Sequence, residues 1–314
     1  MSFARVLLRP HRFEAAGVAV LAVLAFIVAG GLVVRLLAYA IPAECFMRAA
    51  GVTCIPWQGE MDLYRETAGS WGFAALAAIA LLPAGCGLLF GISLVGKELD
   101  QGTTTFAWSI GPSRRQWLMQ RVLPIGSAIV VIGLAGGVLG DVIAAMREPF
   151  TDPNGSLSNL GIRGAVLGAE TLAYFGLALL VGAVVGRVLP ALLLSCVLVV
   201  AAFVGVTLLT DTFLSTETVL SYGTDGGLPG RVVEYMVQTP DGDVISWREA
   251  YERYGEAAMQ GPEGIGPDTT FHEAWRINPP ELYPIAVARM LVLYSALGLA
   301  AITLSFAVVD RRRP

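Results

Sequence analysis

Six long apolar runs alternate with polar segments along this chain: approximately Ala15–Leu37, Trp71–Gly96, Val122–Ala145, Gly161–Val185, Val188–Leu209 and Tyr283–Val309. Each reaches the ~20 residues that a helix needs to cross a hydrocarbon core. The pattern predicts an all-α polytopic membrane protein with six transmembrane helices. Only Gly186, Arg187 and their neighbours separate the fourth and fifth runs. That implies a tight hairpin, since Pro190 does not continue a helix without kinking it. Glycines recur four residues apart inside the runs, as in Gly87/Gly91, Gly133/Gly137, Gly136/Gly140, Gly164/Gly168 and Gly182/Gly186. Such spacing lets helices approach closely and is common in membrane helices, so it speaks for packing and not for a function.

The polar intervals differ in kind. Residues 1–14 place Phe3, Val6, Leu7 and Phe13 among Arg5, Arg9 and Arg12. They read either as an interfacial amphipathic helix or as a charged segment that only orients the first span. The first apolar run is too long for a cleaved signal peptide. The interval 38–70 is expected to be a loop closed by a Cys45–Cys54 disulfide, while Cys86 and Cys196 read as small buried hydrophobes. The interval 147–160 is short and turn-rich, and its Asn154-Gly155-Ser156 sequon is taken as chance.

The interval 210–282 is too long for a mere connection. Val232, Val233, Tyr235 and Val237 lead into Pro240-Asp241-Gly242 and then Val244, Ile245 and Trp247, which predicts a β-hairpin. Ser246 and Glu249 form a capping box before a helix with Trp247, Ala250, Tyr251, Tyr254 and Ala258 on one face. A Gly- and Pro-rich linker is expected over 261–280. The chain therefore divides into an amphipathic segment (1–14), five spans (15–209), a small α/β extracellular cap (210–282), and a sixth span with its tail (283–314).

Composition agrees with this class. The chain is 55% hydrophobic and only 15% charged, with a mean hydropathy of +0.66; soluble domains carry about 25% charged residues. The net charge of −4 says little, but its distribution orients the chain. With both termini cytoplasmic, the inner segments hold Arg5, Arg9, Arg12, Lys97, Arg114, Arg115, Arg121, Arg187 and Arg311 to Arg313. Most acids fall in the outer intervals, as the excess of inner basic residues requires. Basic residues other than Lys97 are all arginine, which fits a GC-rich bacterial genome; for a bacterial polytopic protein the expected location is the plasma membrane. Two histidines, His11 and His272, leave little for a histidine-based metal site or catalytic triad.

Candidate chemistry is sparse. Gly91–Lys97 looks like the start of a phosphate-binding loop, but Glu98 stands where a hydroxyl should bind magnesium, and the stretch ends a membrane helix. We reject it. No nucleophile elbow or zinc motif occurs, so no enzyme active site and no metal site is expected in this chain. Four charges lie inside the spans: Arg35, Asp141, Glu170 and Arg289. With the topology above all four sit in the outer third of the membrane. They read as an ion-pair cluster or snorkelling side chains, or as an external gate or a polar substrate contact.

The polar segment 98–121 is the substantial inner connection. Gly102-Thr103 interrupts the second span. Thr103 can cap a short helix over 104–109, Gly111-Pro112 ends it, and Ser113 with Gln116 caps the next. Phe106 and Trp108 are large groups on that short helix and need headgroups or a protein partner. The pattern Glu98-x-x-x-Gly102-Thr103, a short helix, then Pro112-Ser113-Arg114 and Trp117, resembles the bacterial ABC-2 type transporter permeases of the type V exporter kind. Length, six spans and the N-terminal segment fit that family too. The resemblance implies a permease that pairs with a second, identical or paralogous, copy in the bilayer. Each copy would dock on an ABC ATPase subunit that binds ATP and Mg; this chain would hold no cofactor, and no nucleic acid is expected. It also implies that Glu98, Gly102, Thr103, Thr104, Thr105, Phe106 and Trp108 form the coupling contact. The large external cap departs from the minimal family pattern. It leaves two alternatives open: a subunit that transmits or senses ATPase motion without transport, or a membrane scaffold without an ATPase.

Overall fold

A computed structural model describes residues 12–46, 54–102, 113–149, 156–222, 230–239, 241–255 and 272–311. Among the described residues six helices are long and apolar enough to cross a membrane. They are α1 (Arg12–Leu37), α2 (Gln58–Asp100), α3 (Arg114–Arg147), α4 (Gly164–Val185), α5 (Val188–Thr216) and, after the insertion that follows α5, α7 (Tyr283–Arg311). The sheet strands β1 to β4 and a short helix α6 lie between α5 and α7. The chain forms two units, one of Met1–Phe150, Asn159–Thr207 and Val287–Pro314, the other of Thr151–Ser158 and Leu208–Ala286.

In the first unit α4 is the central element: 72% of its most apolar window is buried, against 17% for α5. Lipid offers helices little hydrophobic reason to associate, so close packing must hold them together. Glycine makes that approach possible. A Cβ on Gly137 would lie 1.9 Å from the Gly164 carbonyl oxygen, and one on Gly91 would lie 2.8 Å from that of Phe175. A Cβ on Gly176 would lie 2.5 Å from the carbonyl of Gly298 in α7. Phe175 and Leu179 of α4 then reach into a core with Phe90, Leu94, Leu118, Ile125 and Ile129. Pro83 and Pro124 are tolerated inside α2 and α3, as membrane helices allow.

The interval 38–70 departs from its expectation. Its second half is not loop, because α2 begins at Gln58 and runs unbroken to Asp100. At 1.5 Å per residue those 43 residues span roughly 65 Å, about twice a hydrocarbon core. Polar residues hid the helix, but Tyr64, Thr67 and Ala68 bury one face at i, i+3 and i+4. Tyr64 donates to the Met146 carbonyl at 2.7 Å, and Tyr39 and Thr67 share a hydrogen bond at 2.9 Å. Cys45 and Cys54 form the expected disulfide. Cys86 is buried, but Cys196 is exposed, because it lies on α5, the least packed of the spans. Of segment 1–14 only the last residues are described, as the start of α1; the rest of the expected interfacial helix, and Asn154 and Gly155 of the sequon, lie outside the described residues.

The second unit holds an antiparallel sheet of order β1-β4-β2-β3, with β1 Val219–Tyr222, β2 Arg231–Gln238, β3 Val244–Ser246 and β4 His272–Asn278, and with helix α6 Trp247–Tyr254 after β3. The hairpin β2–β3 and the capping box at Ser246 are as expected; Ser246 accepts the Glu249 N–H at 3.2 Å. The expected linker over 261–280 is corrected, since it contains β4, an inner strand paired to both β1 and β2. Its partners are distant in sequence, so no local hairpin signal announced it. The helix also ends earlier than its pattern, at Gly255 with φ +64°, and Ala258 lies outside the described residues.

Replacing Gly137 by Ala forces α3 away from α4 and should cost about 1–3 kcal/mol. Gly30, with nothing within 4 Å of its would-be Cβ, should accept Ala with no loss. Thermal unfolding of the two variants in detergent checks the contrast; equal midpoints would rule out the α3–α4 seam as a tight contact.

Candidate coupling site and intramembrane polar groups

The connection between α2 and α3 is bracketed by two local signals. Gln101 closes α2 by donating to the Lys97 carbonyl at 3.0 Å, and Gly102 follows at φ +68°. That left-handed position suits glycine, which stops the helix without strain. Ser113 opens α3, accepting the Gln116 N–H on its side chain at 3.4 Å. The expected short helix, with Thr103, Thr104, Thr105, Phe106 and Trp108, lies outside the described residues.

Around the two ends of this connection run two ion pairs and a hydrogen bond. Lys97 pairs with Glu14 at 2.8 Å, joining α2 to α1. Glu98 pairs with Arg121, joining α2 to α3. Arg121 also lies over the Trp117 ring, 4.2 Å from its centroid. Arg114 donates to the Asp310 carbonyl at 3.4 Å, joining α3 to α7. Four helices are thus held together at the end where the connection emerges. Glu98 lies in the last turn of α2, and its carboxylate faces Arg121. Both side chains are mostly buried, at 16% and 22% exposure, so the pair is less screened than a surface bridge.

The four intramembrane charges are placed differently from one another. Asp141, near the far end of α3, pairs with Arg163 at 2.9 Å. Arg163 was not among the charges singled out from the sequence, although it stands at the start of the fourth apolar run. Its side chain is 2% exposed, and it fixes the start of α4 against α3. Gly164 follows at φ +53°, and a Cβ there would lie 3.2 Å from Asp141 Oδ2. Glu170 lies two turns into α4, where it accepts the hydroxyl of Tyr174, one turn on. Tyr174 meets Tyr294 of α7 edge-on, with ring centroids 6.2 Å apart. All three are buried. Asp141 is therefore answered by a guanidinium and Glu170 by a phenol, and the two acids are held separately. Arg35 is exposed in the last turn of α1, and Arg289 is exposed in the second turn of α7.

The model of a family described as ABC-2 membrane transporter related matches residues 15–211. The matched range holds all but the first residues of α1, then α2 to α4 and most of α5, with the Glu98–Arg121 pair, the bracketed connection and both intramembrane acids. No curated protein and no solved structure matches the chain.

The two salt bridges should respond differently to substitution. Glu98→Gln should cost about 1–3 kcal/mol, between a surface and a buried pair. A Glu98→Arg, Arg121→Glu double variant should recover part of it. Asp141→Leu takes the ion-pair partner from the buried Arg163 charge and should cost about 3–5 kcal/mol, whereas Arg163→Met removes that charge and should cost less. Unfolding midpoints give the order, and the reverse order would refute the assignment of Arg163 as the buried partner.

Proposed function

The chain belongs to the ABC-2 membrane transporter related family, and we propose that it is the permease half of an exporter driven by a separate ATPase. Family membership makes it a membrane subunit of the transporter type. The further reading is that two permease copies, identical or paralogous, flank the pathway in a plasma membrane. Each copy docks on an ATPase chain that holds the ATP and Mg. The connection 103–112 is then the docking element, on the inner side, with Phe106 and Trp108 as its apolar contacts.

The observation that carries this reading is the joining of α1, α2, α3 and α7, by two ion pairs and one hydrogen bond, where that connection leaves the membrane helices. A push on a loop held by one helix pair would bend that pair. With these ties the same push moves four helices as a body, which is the kind of rigid-body motion that switches packed structures. Glu98 contributes by holding the base of the connection. Asp141 and Glu170, near the other end of the bundle, are proposed as gate groups whose polar contacts rearrange as the helices tilt.

A second reading, motion transmitted to an external module without transport, draws on the ordered sheet of the second unit. A plain connection between two spans does not need four strands and a helix. Transport assays separate the two readings.

Co-purification with the candidate ATPase should succeed for the wild type, and Phe106→Ala with Trp108→Ala should reduce complex formation or ATP turnover at least tenfold. Unchanged assembly and turnover would sink the docking assignment. Glu170→Gln keeps a partner for Tyr174 and removes the charge; it should leave assembly intact and slow transport. Wild-type transport in that variant would remove Glu170 from the gate.

A further inference from the structure

The second unit carries a cleft of about 910 Å³ whose lining includes Glu234 and Tyr235 of β2, Ser246, Trp247 and Arg248 at the start of α6, and Glu273 of β4. Its origin lies in the sheet. Tyr235 and Val237 share a face of β2, as alternate residues do. Helix α6 covers only the Val237 end of that face, where Val237, Ile245 and Ala250 make a small core. Eight residues give about 12 Å of helix, too short to reach Tyr235. A register shift between Val232 and Glu234 adds an unpaired residue beside it, and such bulges turn side chains out of the regular pleat. Tyr235 and Trp247 are therefore left exposed, at 64% and 38%.

The charges in the cleft are arranged in an unusual way. Glu234 is already bound to Arg276 at 3.0 Å. Glu273 and Arg248 face the same cleft, yet no salt bridge joins them. Among the described residues neither has an ion-pair partner. An acid and a guanidinium, not paired with each other, thus line one cleft together with two aromatic side chains. Arg248 is reinforced by the first backbone N–H groups of α6, since the Ser246 side chain takes only that of Glu249. One part of the cleft attracts a cation, another an anion, and the aromatic groups favour an apolar body beside a positive charge. The volume lies within the range of small-ligand sites.

We propose that this cleft binds a short zwitterionic peptide. Its free amino group pairs with Glu273, its free carboxylate pairs with Arg248, and an apolar or aromatic side chain lies on Tyr235 and Trp247. The site is defined within the second unit and stands whether or not the chain exports a substrate.

The test uses the full-length protein in lipid nanodiscs and calorimetric titration. The probes are the dipeptide phenylalanyl-phenylalanine, its N-acetyl form, its C-terminal amide, and glycerophosphocholine as a zwitterion without an apolar body. The free dipeptide should bind saturably, and each capped form should bind at least tenfold more weakly. Glu273→Gln should lower affinity for the free dipeptide about tenfold and leave the N-acetyl form unaffected. Arg248→Gln should do the same with respect to the amide. Tyr235→Ala, at an exposed position that does not threaten the fold, should weaken all three peptides together. No saturable peptide binding would overturn the proposal. So would capped forms that bind as well as the free dipeptide, or glycerophosphocholine that binds in its place.

Discussion

The close approach of α4 to its neighbours is the constraint on which the first unit rests. In a bilayer, apolar surface gains little by leaving lipid for protein, so helices hold together only where their backbones come near enough for dense van der Waals contact. Here α2, α3 and α7 each meet α4 through glycines, at Gly91, Gly137 and Gly298. No methyl group fits at those points. The other spans can be mostly lipid-facing because α4 is not. Large residues such as Phe175 then fill the spaces between the seams.

That packing also decides where polar groups can live. A helix buried on nearly all sides must satisfy its polar side chains within the bundle. Arg163 does so with Asp141, and Glu170 with Tyr174. At the opposite end the helices leave the apolar region, and the ties become ionic: Glu14 with Lys97, Glu98 with Arg121. Arg121, in the second turn of α3, serves a salt bridge and a ring contact at once. Glycine seams in the middle and ionic ties at one end would let the helices move as a body when the connection is displaced.

The second unit follows different rules. Among the described residues its core is small, and one short helix covers only one end of a four-stranded sheet. Exposed aromatics result from that shortfall of cover. The sequence placed Trp247 and Tyr251 on the same helical face as Ala250 and Tyr254. In the fold only Ala250 and Tyr254 pack inward, and Trp247 and Tyr251 stay exposed.

The sequence alone determined the six spans, the Cys45–Cys54 pairing, the β2–β3 hairpin and the helix start at Ser113, because each is written in a local signal: a run of apolar residues, a turn, a cap, a pair of cysteines a few residues apart. It also carried the resemblance that the family match supports. Only the tertiary structure decided which residues answer each other across the bundle. Arg163 became the partner of Asp141, Glu98 turned to Arg121, β4 entered the middle of a sheet, and α2 extended back to Gln58. These depend on contacts between positions far apart in the chain. A single sequence records which residues are present, but not which distant pair will be brought within hydrogen-bonding reach.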